Sequence, residues 1–342
     1  MLKVDGMRCN TQQFGSVTVA RARSSADLRS LLRDPWLKAD VFIVKPSWFS
    51  PHPANFTDAE TLRMLLEALD GRVVVTEAHT LERQDGSMKL TVDDVKVDWR
   101  WIMKNPSWDW IREEGRWDQL RKQERWFLDE YGFTDLFDEH RVDYVNVTEE
   151  VWQGRTADAR EIKKGVEARF DPVFRQELYG CIPKRLYELR GATLISFGKV
   201  KGIRGILPSL AMKNLFGLIP DPLRSWWHGA SDKWLGRSIV DINKVYAGLF
   251  KVYGICEAIR YGTVDRAEGE VKVPWGSYDI VEDLGVLAIG RHLVSLDAIL
   301  CALIGVDPDR VSYLKLGEKA FGAYNRRHVE AARSASVDWF PV

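Results

Sequence analysis

The chain has no surplus of charge of either sign: 49 lysines and arginines stand against 49 aspartates and glutamates. A protein that lives on a phosphate backbone usually shows a basic excess, so nucleic acid is not expected as a partner. Paired cysteines are also missing. Cys9, Cys181, Cys256 and Cys301 stand alone with no CxxC spacing, which predicts reduced, buried or half-buried thiols in a cytoplasmic protein. No apolar run approaches the roughly 18 residues of a membrane span. The N-terminal MLKVDGMRCNTQQ carries no apolar signal core, so neither membrane insertion nor export is expected. HxH and HExxH spacings are absent, and no metal ligands are assigned. GxGxxG, Walker A, GxSxG and kinase signatures are absent too, which leaves any cofactor unknown.

What is present is a chain of 342 residues, 45% hydrophobic and 29% charged. That length buries roughly three quarters of its unfolded surface and suits one large α/β unit over 1–330, or two packed lobes, with a tail at 331–342. Short apolar runs read as strands: SVTVARA (16–22), VFIV (41–44), RVVVT (72–76), DYVNV (143–147), ATLISF (192–197), VYGICEAI (252–259) and VLAIG (286–290). Helical spacing lies between them. Ser25–Leu32 reads as a helix, Thr57-Asp58-Ala59-Glu60 fits a capping box, and Asp307-Pro308 starts another helix. Apolar strands separated by helices predict an α/β fold with a mostly parallel sheet covered on both faces.

Residues 95–140 break this rhythm with Trp99, Trp101, Trp108, Trp110, Trp117 and Trp126 among many charges. They read as a Trp-rich helical insertion, with Trp110, Trp117 and Phe127 on one face and Leu120 and Leu128 nearby. The tryptophans either pack on the main body or form a lid or partner surface.

Ligands of open α/β sheets bind beyond the carboxyl ends of the strands. Lys45, Ser47 and Trp48 follow VFIV; Glu77 and His79 follow RVVVT; Asn146 and Thr148 close DYVNV; Lys199 and Lys201 follow ATLISFG. Arg260, Tyr261 and Asp265 follow ICEAI, and Arg291 and His292 follow VLAIG. Parallel strands would gather all of them on one edge. Lys199 and Lys201 alternate along an extended loop, so one is expected to face the site and the other solvent. They sit among Gly198, Gly202 and Gly205 with Arg204, a glycine-rich cationic loop of the kind that forms anion sites. Lys213-Asn214 lies in an apolar segment, where an ammonium needs either a ligand anion or a carboxylate such as Asp241 or Asp297. His228 follows a Trp-Trp pair and is an acid–base candidate or a surface histidine.

Several of these residues resemble the prokaryotic family catalogued as domain of unknown function 362. The resemblance runs through Lys45-Pro46-Ser47-Trp48, Asp143-Tyr144-Val145-Asn146 and Gly198-Lys199-Val200-Lys201. It continues through Met212-Lys213-Asn214-Leu215-Phe216-Gly217, Ser295-Leu296-Asp297-Ala298 and Gly305-Val306-Asp307-Pro308. Three positions depart from that pattern: Ser47 stands where the family has asparagine, Ile203 where it has histidine, and His292 where it has aspartate. The resemblance implies that many relatives carry a fused ferredoxin-like module with clustered cysteines. No such cluster lies here, so electron transfer would need a separate redox partner protein.

The expected function is a cytoplasmic enzyme acting on a small anionic ligand, a carboxylate or phosphate. Lys45, Ser47, Lys201, Lys213 and Asn214 would bind it, Asp297 would hold Lys213, and Glu77, Lys199 and His228 would carry the chemistry. The alternatives are a metal- or cluster-linked redox protein working with a ferredoxin-type partner, and a non-catalytic binding or assembly protein with a degenerate site.

Overall fold

A computed structural model describes residues 2–3, 11–84, 90–105, 107–112, 116–202 and 207–340. Cys9, Ile203, Arg204 and Gly205 lie outside the described residues.

The apolar runs become strands because β-branched side chains fit a pleated, buried surface. In chain order the strands longer than two residues are β1 (Thr11–Phe14), β2 (Val17–Arg21), β3 (Val41–Lys45), β4 (Arg72–Glu77), β5 (Asp143–Asn146), β6 (Thr193–Lys199) and β7 (Lys251–Ala258). They continue with β8 (Tyr261–Asp265), β9 (Val271–Val273), β10 (Gly276–Glu282) and β11 (Val286–Gly290). The main sheet has eight strands in the order β1-β2-β11-β7-β6-β3-β4-β5. Strands β7, β6, β3, β4 and β5 are parallel. Strands β11, β2 and β1 extend the sheet antiparallel. The fold is α/β with a mostly parallel sheet, as the alternation of apolar strands and helices implies.

The sheet is covered on both faces. Phe42, Val44, Ile195 and Phe197 pack with Leu62 and Leu65 of the helix Ala59–Ala68 and with Leu136 and Phe137 of the helix Phe133–His140. The alternate residues Ile43, Val74 and Leu194 pack with the helices Leu235–Leu249 and Leu293–Leu303. This period of two is what splits one sheet into two cores. In a second sheet β8 and β9 pair antiparallel with β10, and the two-residue strand Leu2–Lys3 pairs parallel with it. Tyr278 of β10 donates to the Pro53 carbonyl at 2.8 Å, which docks this sheet on the loop after β3.

Two details differ from expectation. The cap of the helix Ala59–Ala68 is Asp58, which accepts from the Thr61 amide at 3.0 Å. Thr57 is used elsewhere. Its hydroxyl accepts from the Ser47 amide at 3.3 Å and its carbonyl accepts from the Trp48 indole at 2.9 Å. Thr57 therefore pins the loop that follows β3.

The Trp-rich segment does not present one face. Asp109–Arg112 and Arg116–Glu130 are separate helices, so helical periodicity does not carry across them. Trp110 and Leu120 join a small apolar cluster with Ile102 and Ile111, whereas Phe127 enters the main core. Trp117 stacks on Trp152 at 4.7 Å, and the Trp226 indole donates to the Ile102 carbonyl at 2.9 Å. The C-terminal segment docks as well: Trp339 is fully buried, and its indole donates to Gln12 at 3.0 Å. Among the described residues no helix is long and apolar enough to cross a membrane.

Candidate functional site

The order of the parallel strands reverses between β3 and β6. The chain runs outward from β3 to β4 and β5, then returns to place β6 on the other side of β3. At such a switch point the connections leave in opposite directions and open a crevice beyond the strand ends. Lys45 ends β3 and Lys199 ends β6, so the lysines meet at this crevice.

Lys45 is buried and forms an ion pair with Glu77 of β4 at 2.8 Å. Its Nζ also donates to Asn214 Oδ1 at 3.0 Å. Asn214 Nδ2 donates in turn to the Lys45 carbonyl at 2.9 Å and to Ser196 Oγ at 3.1 Å. Glu77 is saturated: it also accepts from the amides of Trp48 at 3.3 Å and Ala78 at 3.0 Å, and lies 3.9 Å from Arg224. Burial lowers the Lys45 amine to about 8. Glu77 opposes that shift, while Arg224 and Arg83 add to it. A Cβ on Gly217 would collide with the Lys45 ammonium and lie 2.8 Å from Glu77, so a larger residue at the end of the Lys-Asn-Leu-Phe-Gly segment must displace this ion pair.

Lys199 pairs with Glu257 of β7 at 3.1 Å, and both are buried. Glu257 accepts from the Ile259 amide at 3.2 Å through the same oxygen, while its other oxygen has no hydrogen-bond partner. Burial raises the Glu257 carboxyl against the pull of Lys199.

Lys201 does not turn to solvent. Both members of the Lys-x-Lys pair are buried, because Lys201 crosses to the loop after β3. Its Nζ donates to the Asn55 carbonyl at 2.9 Å and to Ser47 Oγ at 3.5 Å. Burial lowers its amine to about 7, reinforced by Lys213, Lys45 and Lys199 and opposed by Glu257. Lys213 is half-buried and donates to the Leu207 carbonyl at 2.9 Å. Burial brings it to about 8 against the attraction of Asp232.

Asp297 does not hold Lys213. Its two oxygens accept from the amides of Ala211 at 2.9 Å and Met212 at 3.0 Å. It thereby caps the helix Ala211–Leu215, which carries Lys213 and Asn214. Asp241 accepts from the Phe174 amide at 2.8 Å, while Lys213 turns to the Leu207 carbonyl. His228 pairs with the exposed Asp232 at 2.9 Å and lies against the Phe216 ring at 5.1 Å. Arg291 and His292 are not on the site edge, because β11 is antiparallel to β7. Arg291 pairs instead with Asp34.

A second buried charge cluster adjoins Glu77. Arg83 pairs with Glu124 and donates to the Trp48 carbonyl at 3.0 Å. Glu124 also accepts from Tyr144 and lies 3.2 Å from His79 Nδ1. Burial alone would raise Glu124, but Arg83, His79 and Tyr144 outweigh it and hold the carboxyl at about 2. Glu124 comes from the Trp-rich insertion, on the same inward stripe as Leu120 and Phe127. That stripe was its only sequence signal. Glu257 also had one, as the lone charge inside an apolar strand.

The model of the family described as domain of unknown function (DUF362) matches residues 42–302. The chain belongs to this family. No curated protein and no solved structure matches it. The match spans both halves of the crevice, from β3 to the helix that carries Asp297.

Two of the three DUF362 departures, Ser47 and His292, lie among the described residues. Ser47 lies in the crevice and accepts from Lys201. His292 is the N-cap of the helix Leu293–Leu303: Nδ1 accepts from the Ser295 amide at 3.3 Å, and Nε2 lies 3.0 Å from the Phe321 carbonyl. A side-chain acceptor at that helix end does the capping work of an aspartate. Ile203 lies outside the described residues. Cys181, Cys256 and Cys301 are buried free thiols; burial pushes Cys181 up to about 12 and the other two well above their ordinary value. Among the described residues no group of three or more His, Cys, Asp and Glu side chains is placed to hold a metal ion.

Proposed function

We propose that this DUF362 protein is a cytoplasmic enzyme that acts on a small anionic substrate, a carboxylate or a phosphate, in the crevice between β3 and β6. The observation that carries this reading is the partners of Lys201 and Lys213. Both donate to neutral oxygens, while Lys45 and Lys199 each face a carboxylate. Glu257 and Asp232 attract these lysines without hydrogen-bonding them, and enclosing an ammonium with no directly paired carboxylate costs several kcal/mol in a real interior. An anion beside Lys201 and Lys213 offsets that cost and gains charge-assisted hydrogen bonds.

The roles follow from what each group still has free. Lys201 and Lys213 bind the anion. Glu77 and Asn214 spend their hydrogen-bonding capacity on Lys45 and its neighbours, so they orient it. Asp297 fixes the helix that presents Lys213. Glu257 keeps one oxygen free and a raised carboxyl, which suits it to proton transfer together with Lys199.

The test is thermal unfolding of the wild-type protein with inorganic phosphate or citrate. A ligand at a hundred times its dissociation constant stabilises by about 2.7 kcal/mol. We expect a concentration-dependent rise in melting temperature that disappears in Lys201→Met and Lys213→Met. No rise in the wild type, or an equal rise in both variants, removes this reading.

A further inference from the structure

We propose that Lys201 is a covalent catalytic residue: its amine condenses with the aldehyde or ketone carbonyl of a small carboxylated or phosphorylated substrate to form an imine, with Lys213 holding the substrate's anionic group. The inference rests on the anion-site reading above and names the substrate class as carbonyl compounds with an acidic tail.

The geometry sets Lys201 apart from its neighbours. Lys45 and Lys199 are each engaged by a buried carboxylate, which holds their nitrogens at a counter-charge. Lys201 has two acceptors, the Asn55 carbonyl at 2.9 Å and Ser47 Oγ at 3.5 Å. A neutral amine has two hydrogens and one lone pair. Two acceptors use its two hydrogens and leave the lone pair for an electrophile. Lys201 is also the most accessible of the three, at 9% exposure against 2% for Lys45 and 1% for Lys199. Its backbone is held in place: the Lys201 amide donates to the Ser209 carbonyl at 3.2 Å, and the Ser209 amide donates back at 2.9 Å. Desolvation beside other cations is how a lysine becomes nucleophilic near neutral pH, and the value of about 7 agrees with that surrounding.

The step is balanced without an outside oxidant or reductant. The Lys201 nitrogen forms a bond to the carbonyl carbon as the carbon–oxygen π bond breaks. Both amine hydrogens then leave with the carbonyl oxygen as water, giving the carbon–nitrogen double bond. Hydrolysis reverses the sequence and restores the amine.

The wild-type protein is treated with glyoxylate, pyruvate or dihydroxyacetone phosphate and sodium cyanoborohydride at pH 7 and pH 9. Labelled lysines are then located by peptide mass spectrometry. An ordinary lysine loses about a hundredfold of its neutral amine between those pH values. Lys201, with its amine at about 7, loses about twofold. The expected result is label on Lys201 that persists at pH 7, is reduced by inorganic phosphate, and is absent in Lys201→Arg. Label confined to exposed lysines with the hundredfold dependence, in a protein that phosphate still stabilises, overturns the imine and leaves the anion site standing. Absence of both label and phosphate stabilisation overturns the two together.

Discussion

Two buried charge clusters lie side by side at the ends of the parallel strands, and they are built on opposite rules. Around Arg83, the opposite charges meet: Glu124 faces the guanidinium, and Tyr144 and His79 fill the remaining positions of the carboxylate, while Arg83 Nε and His79 Nε2 are buried without a hydrogen-bond partner. Around Lys201, the partners are a backbone carbonyl and a hydroxyl, and Lys213, Lys45 and Lys199 repel its charge while Glu257 attracts it. The first cluster has its charge balanced within the protein and ties the Trp-rich insertion to the sheet. The second is completed by an anion or by loss of a proton. A buried cation by itself therefore says little about function; its partners decide.

The sharpest way to break this contrast is Glu124→Gln. It leaves Arg83 buried without its carboxylate, and we expect a loss of about 3–5 kcal/mol in denaturant unfolding. A loss below about 1 kcal/mol would mean that the matched cluster is not structural. Gly217→Ala pushes a methyl group into the Lys45–Glu77 pair. Overpacking there should cost about 1–3 kcal/mol and weaken phosphate binding measured by calorimetry.

Lys201→Met should behave in the opposite sense to Glu124→Gln. Removing an ammonium with neutral partners should raise the stability of the ligand-free protein by about 1 kcal/mol. A destabilisation as large as that of Glu124→Gln would erase the difference between the clusters. The pH dependence sharpens the same point. The Lys201 amine lies at about 7 in the folded protein and near 10.4 in an unfolded chain. Between those values the folded state holds fewer protons, so ligand-free stability should rise with pH from 7 toward 10. In Lys201→Met that slope should be shallower by up to about 1.4 kcal/mol per pH unit.

The smallest effect lies outside both clusters. His292→Ala removes an N-cap and should cost about 1 kcal/mol in unfolding, and His292→Asp should recover it.

Much of the frame was legible. VFIV, RVVVT and ATLISF are apolar runs that suit only a sheet covered on both faces, and the lysines that follow them mark its functional edge. The strand direction of VLAIG was not legible, since an apolar run reads the same both ways; this misplaced Arg291 and His292. The partners were not legible either. Asp297 was taken for a partner of Lys213 because both are charges in apolar segments, yet its oxygens are used by the amides of Ala211 and Met212.

By itself the sequence determined the α/β alternation, the DUF362 membership and the concentration of lysines at strand ends, because apolar period and residue type are local properties. Only the tertiary structure decided that Lys45 meets Glu77, that Lys199 meets Glu257 and that Lys201 meets neutral oxygens. Those pairings join residues 32, 58 and 146 positions apart or more. They are set by strand order and register, which place distant residues on one edge, and by low dielectric, which makes each pairing matter.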